Sequence, residues 1–359
     1  MLFEPYQLGR ITLRNRLVMA PMTRNRATPD HTPTPIMAEY YAQRATLGLI
    51  ITEGTAPAAD GAGYARIPGL YSAEQVEAWK PVTKGVHALG GHIFAQLMHT
   101  GRASHPHNMP AGTRVVSSAA VALPDALYTD AEGMQPAPVP HALTEAEIAV
   151  VIEEYVIAAK NAVAAGFDGI ELHAANGYLL EQFLNANLNT RTDGYGGSAE
   201  HRNRLVLEVA KATAGAIGAD RVGVRISPHG VFNGMGSFDG VDAQFIALAT
   251  ALGAHGIAYV HLVNHESMGA PAMPAALPGQ LKAAFGGTFI ASGGFTSADQ
   301  AESVLAAGAA DLVAFGRPAL ATPDLAARLH TGAALNAPDF ATFYTPGEKG
   351  YTDYPALAV

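Results

Sequence analysis

The chain has 359 residues, of which 49% are hydrophobic, enough to bury a large core in one big domain or two ordinary ones. It has no cysteine, which removes disulfides, thiolate metal ligands and a cysteine nucleophile together. A formal charge of −9 with no basic cluster argues against a nucleic-acid partner, and no run of about 18 apolar residues offers a membrane span. Residues 1–5 show no basic region leading into an apolar block, so a cytoplasmic protein without a secretory leader is expected.

Short apolar runs of strand length alternate with longer helical patterns. The run at 17–20, closed by Pro21, precedes a helical segment at 35–44, and the run at 48–52 precedes a helix over 72–89. Ser72 with Gln75 three residues later is a capping-box spacing. The third run, 92–97, leads into a Pro- and Gly-bearing excursion over 99–141, and so long a loop in a compact domain is more often functional than idle. Thr144 with Glu147 opens a helix to about 165, and the fourth run, 169–172, is followed by a helix over 199–217. The remaining runs, 221–226, 256–262, 288–292 and 311–315, are paired with helices at 242–254, 277–284, 297–307 and 323–329. Eight strand-then-helix units with apolar strands predict a parallel sheet covered by helices. Closed on itself, this is a (β/α)8 barrel forming one domain over 1–359, with 99–141 as a capping insertion after the third strand. A doubly wound open sheet is the alternative, but no G-x-G-x-x-G follows the first run.

In such barrels chemistry sits where the strands end. Those positions here are polar: Thr23, Glu53-Gly54, Gln96, His173, Arg225, His261, Gly293-Gly294 and Gly316-Arg317. The last two pairs suit a phosphate, since bare glycine backbone can approach an anion and Arg317 can add a charge-assisted bond. Gln96 offers an amide matching a ring edge that carries C=O beside N–H, Thr23 a hydroxyl for the opposite edge, and Arg225 a permanent cation for a ring that gains charge on reduction. Past the fourth strand, His173 and Asn176 are three residues apart and Tyr178 follows. Two nitrogen donors can hold one carbonyl oxygen while a phenol delivers a proton to the same molecule. Taken alone, each of the three is an ordinary turn or capping residue.

Together, 2–5, 15–24, Gln96-Leu97 with 99–102, the His-x-x-Asn-x-Tyr turn, 189–197 and 350–355 make the chain resemble the Old Yellow Enzyme family of flavin-dependent ene reductases, nearest to the N-ethylmaleimide and pentaerythritol tetranitrate reductase type. The resemblance implies non-covalent FMN, reduced by NADPH or NADH. Activated alkenes, α,β-unsaturated carbonyl or nitro compounds, would be the substrates, with nitroester or xenobiotic reduction as a further activity and a monomer or weak homodimer as the assembly. It implies that Ala20, Pro21, Thr23, Gly54, Gln96 and Arg225 hold the ring, and that Gly293, Gly294, Gly316 and Arg317 hold the phosphate. His173 and Asn176 would bind the substrate oxygen, Tyr178 would give the proton, and Tyr64, Phe232 and Tyr351 would line the pocket. Two positions depart from the family pattern: Met98, where many relatives carry Trp, and Gly54, where many carry Ala. A phosphate-binding barrel isomerase or lyase without flavin is the alternative function, and no His-x-His pair or carboxylate cluster at the strand ends supports a metal hydrolase.

Overall fold

The computed structural model, which describes residues 1–357, closes eight parallel strands into a barrel. They are Leu17–Met19, Leu49–Ile51, Ile93–Leu97, Gly169–Ala174, Val222–Ile226, Tyr259–Val263, Thr288–Ser292 and Leu312–Phe315. Each pairs with the next in the chain, and the last pairs with the first. Every strand falls on a predicted apolar run. Helices outside and side chains inside leave these strands no wet face, which is why they read as continuous apolar runs rather than alternating ones.

The helices start where local chemistry tells them to. Ala73–Ala88 begins with Ser72 accepting from the Gln75 backbone while the Gln75 side chain reaches back, and Glu145–Ala164 repeats the device with Thr144 and Glu147. Each box satisfies backbone N–H groups that the first turn leaves free.

Three features differ from expectation. A hairpin of Tyr6–Leu8 and Ile11–Leu13 places Leu8 and Leu13 against Val18, Leu49, Tyr259 and Leu312, closing the barrel at the end where its strands begin. A short helix, Leu179–Leu184, follows the fourth strand directly. The helix expected at 323–329 is present at Leu325–Thr331, and a further short helix, Arg317–Ala321, precedes it. Pro323 between them has no N–H to give and steers Thr322 out of helical conformation.

The excursion over 99–141 carries a hairpin, Ala126–Thr129 with Gly133–Pro136, and a strand pair, Val116–Ser117 with His141–Ala142. Leu123 and Leu127 from it bury a separate apolar cluster with Ile67, Met98 and Tyr178. The excursion is thereby bound to the rim of the barrel at which the strands end.

Candidate active site

Strand register decides which side chains meet inside the barrel. Glu171 lies beside Gln96, and His173, Arg225 and His261 lie side by side on consecutive strands. Residues two apart share a face, so Glu171 and His173 both point inward. Glu171 accepts hydrogen bonds from Gln96 Nε2 and His261 Nδ1, each at 2.8 Å. Burial pushes this carboxyl up, but His261, Arg225 and Gln96 outweigh burial and hold it below its ordinary value. The buried anion fixes the Gln96 amide, leaving its carbonyl and second N–H for something else.

Beside this ordered layer lie buried atoms with no hydrogen-bond partner among the described residues. Arg225 is 6% exposed and its Nε is buried without a hydrogen-bond partner. The same holds for His173 Nδ1 and Asn176 Oδ1. Burial, then Arg225 and His261, drives the His173 imidazole well below its usual pKa, so it is a neutral donor at pH 7. Burial raises the Tyr178 phenol, so it keeps its proton. The Tyr178 ring meets His173 edge-on at 4.8 Å and Tyr64 at 6.0 Å.

These groups face one cavity of about 650 Å³. Its wall contains Ala20, Pro21, Thr23, Tyr64, Gln96, Met98, His173, Asn176, Tyr178, Arg225, Phe232, Gly293, Gly294, Gly316 and Arg317, all expected from the sequence. Gly293 and Gly294 have φ of +122° and +84°, and a Cβ on Gly293 would lie 2.2 Å from the Asn264 carbonyl, so only glycine fits.

Two expected residues lie elsewhere. Gly54 is behind Met98, where a Cβ would come within 2.3 Å of the Met98 sulfur, so it shapes the wall without lining it. Tyr351 is fully buried and stacked on Tyr40 at 3.9 Å, because Arg24 and Arg26 draw the C-terminal segment inward over its ring. That same segment presents Phe343 and Tyr344 to the cavity instead. The sequence reading missed these two, together with His265 and Phe295. In the sequence the 350–355 motif brings the tail to the site through Tyr351, but nothing in it points to Phe343 and Tyr344.

A buried unpaired guanidinium, a fixed amide edge and a diglycine bend share the cavity at the barrel mouth. They suit a flat, hydrogen-bonding ring joined to a phosphate. Fold and site thus define an oxidoreductase of the flavin-binding barrel class. The model of the NADH:flavin oxidoreductase / NADH oxidase family matches residues 1–336. Chanoclavine-I aldehyde reductase from Penicillium roqueforti is 46% identical, with 98% of this chain and 95% of that protein covered. A probable flavin mononucleotide-dependent alkene reductase from Leishmania infantum is 43% identical, with 99% and 97% covered. The solved structure of an old yellow enzyme homologue from Zymomonas mobilis superposes with a TM-score of 0.95 at 40% identity, covering 99% of each chain. The chain belongs to the Old Yellow Enzyme family of FMN-dependent, nicotinamide-reduced oxidoreductases. A flavin-free isomerase or lyase is not favoured.

Proposed function

We propose that this protein reduces the C=C bond of α,β-unsaturated carbonyl or nitro compounds at the expense of NAD(P)H, with Tyr178 as proton donor and His173 and Asn176 as the pair that binds the activating oxygen. The observation that carries the assignment is that Arg225 Nε and His173 Nδ1 are buried nitrogens without a partner among the described residues, and that Asn176 and Tyr178 line the same cavity. Buried polar groups cost free energy unless something pairs with them, so the site is complete only with ligands in it.

FMN, when bound, would supply the two-electron hydride chemistry that links the nicotinamide to the alkene carbon β to the activating group. Thr23, Gln96 and Arg225 would hold its ring, with Ala20 and Pro21 against it and Gly293, Gly294, Gly316 and Arg317 at its phosphate. His173 and Asn176 act chiefly in the transition state, because the substrate oxygen gains negative charge only as hydride arrives. A neutral His173 stabilises that charge by donating a hydrogen bond without surrendering its proton. Tyr178 then protonates the α-carbon, which completes addition of H⁻ and H⁺ across the double bond. Its raised pKa keeps the proton in place until a carbanion-like acceptor forms. Tyr64, Met98 and Phe232 would shape the substrate side of the cavity.

Rapid kinetics of the two half-reactions test this. Tyr178→Phe should leave flavin reduction by NAD(P)H near normal and slow reoxidation by 2-cyclohexenone by about 10²-fold or more. A colourless protein, or equal slowing of both half-reactions, would overturn the assignment.

A further inference from the structure

Asn176 and Tyr178 stand on a turn to which the backbone gives one long hydrogen bond of its own, from the Tyr178 N–H to the Ala175 carbonyl at 3.3 Å. Asn176 and Gly177 have φ of +59° and +75°, two successive left-handed residues, and an L side chain adopts that conformation only at a cost. Side chains from below hold the turn. The Gly177 N–H donates to Glu181 Oε2 at 2.5 Å, and its carbonyl accepts from Gln182 Nε2 at 2.8 Å. The Asn176 N–H donates to Ser227 Oγ at 2.9 Å, and the Ser227 hydroxyl donates to Glu181 Oε1 at 2.8 Å. One carboxylate therefore collects both backbone N–H groups, one directly and one through a hydroxyl at the end of the fifth strand.

Glu181 is 3% exposed, and no salt bridge is formed to it among the described residues. Burial pushes its carboxyl up to about 7, opposed by the Gly177 N–H and Ser227. A carboxyl buried without a cation is a poor device for stability, and such groups concentrate at functional sites. Its two acceptor oxygens are spent wholly on the turn.

We propose that Glu181 and Ser227 are positioning residues for ene reduction, holding the left-handed Asn176-Gly177 bend so that the Asn176 carboxamide and the Tyr178 phenol keep their places over the cavity. The inference rests on the assignment of those two groups given above. Neither Glu181 nor Ser227 touches substrate; both act through the backbone.

The test is titration of the FMN-loaded protein with 4-chlorophenol, followed by its long-wavelength charge-transfer absorbance, in wild type, Ser227→Ala, Glu181→Ala and Glu181→Gln. Binding is read on the flavin-bearing fraction alone, so loss of folding and loss of positioning are separated. Both alanine variants should bind the phenol about tenfold more weakly, as expected for a lost charge-assisted hydrogen bond, with the band displaced. Glu181→Gln keeps one acceptor and should fall between them and wild type. Reoxidation by 2-cyclohexenone should slow in the same order. If wild type shows the band and all three variants bind as it does, the positioning role is wrong. If wild type shows no band, the oxygen-binding assignment itself fails.

Discussion

The two family departures at Gly54 and Met98 form a single packing unit. A Cβ at Gly54 would sit 2.3 Å from Sδ and 2.5 Å from Cε of Met98, so the bare glycine is what lets the thioether lie back. Met98 in turn belongs to the apolar cluster with Ile67 and Tyr178. Gly54→Ala has no backbone strain to pay and meets a flexible side chain, so folding should survive while Met98 swings toward the cavity. The expected outcome is a rise in KM for bulky enones with little change for 2-cyclohexenone; equal KM changes for large and small substrates would contradict it. Residues of this kind mark how far the sequence is readable. Polar side chains at or next to the end of an apolar run, such as Gln96, His173 and Arg225, read as site residues. Glu171, placed the same way in its run, does not, because its role depends on Gln96 and His261, which reach it from other strands of the barrel.

At the scale of elements, the C-terminal segment completes a cavity that the barrel alone leaves open. The Arg26 guanidinium donates to the carbonyls of Thr342 and Phe343 at 2.8 Å and of Lys349 at 3.1 Å, and Arg24 donates to Gly350 at 2.7 Å. Desolvation, then the neighbouring Arg24, pulls the Arg26 pKa down to about 10, so it is still a cation near neutral pH. Arg26→Ala should loosen Phe343 and Tyr344 and cost about 3 kcal/mol of stability through several lost charged hydrogen bonds. Steady-state kinetics should show KM for the enone raised and kcat largely kept, because His173 and Tyr178 are held by the fourth strand and the turn after it, which Arg26 does not hydrogen-bond; an unchanged KM would separate the tail from substrate binding. Element types were legible from period and capping boxes, but the path of the tail was not. Nothing local places Tyr351 beneath arginines that precede it by more than 300 residues. The N-terminal hairpin escaped for a related reason: its strands of three residues are too short for a periodic signal.

For the whole molecule, eight apolar runs sufficed to predict the closed barrel, since a parallel sheet buried on both faces has one compositional signature. The fold also carries a stability cost that depends on pH. Burial, then nearby Asp60, raises Glu154 from an ordinary 4.5 to about 7. A carboxyl raised in the folded state favours folding fully below pH 4.5, and that contribution is lost as pH rises through about 7. Glu154→Gln should therefore raise Tm relative to wild type more at pH 8.5 than at pH 5, and an equal shift at both would contradict the sign. The central claim, that one imidazole and one carboxamide bind an oxygen over a flavin at the barrel mouth, is met most directly by optical titration of the purified protein. A yellow protein that develops a long-wavelength band with 4-chlorophenol, lost in His173→Ala/Asn176→Ala, is the predicted result. A flavin-bearing protein that shows no band, or a band that survives the double substitution, would contradict it.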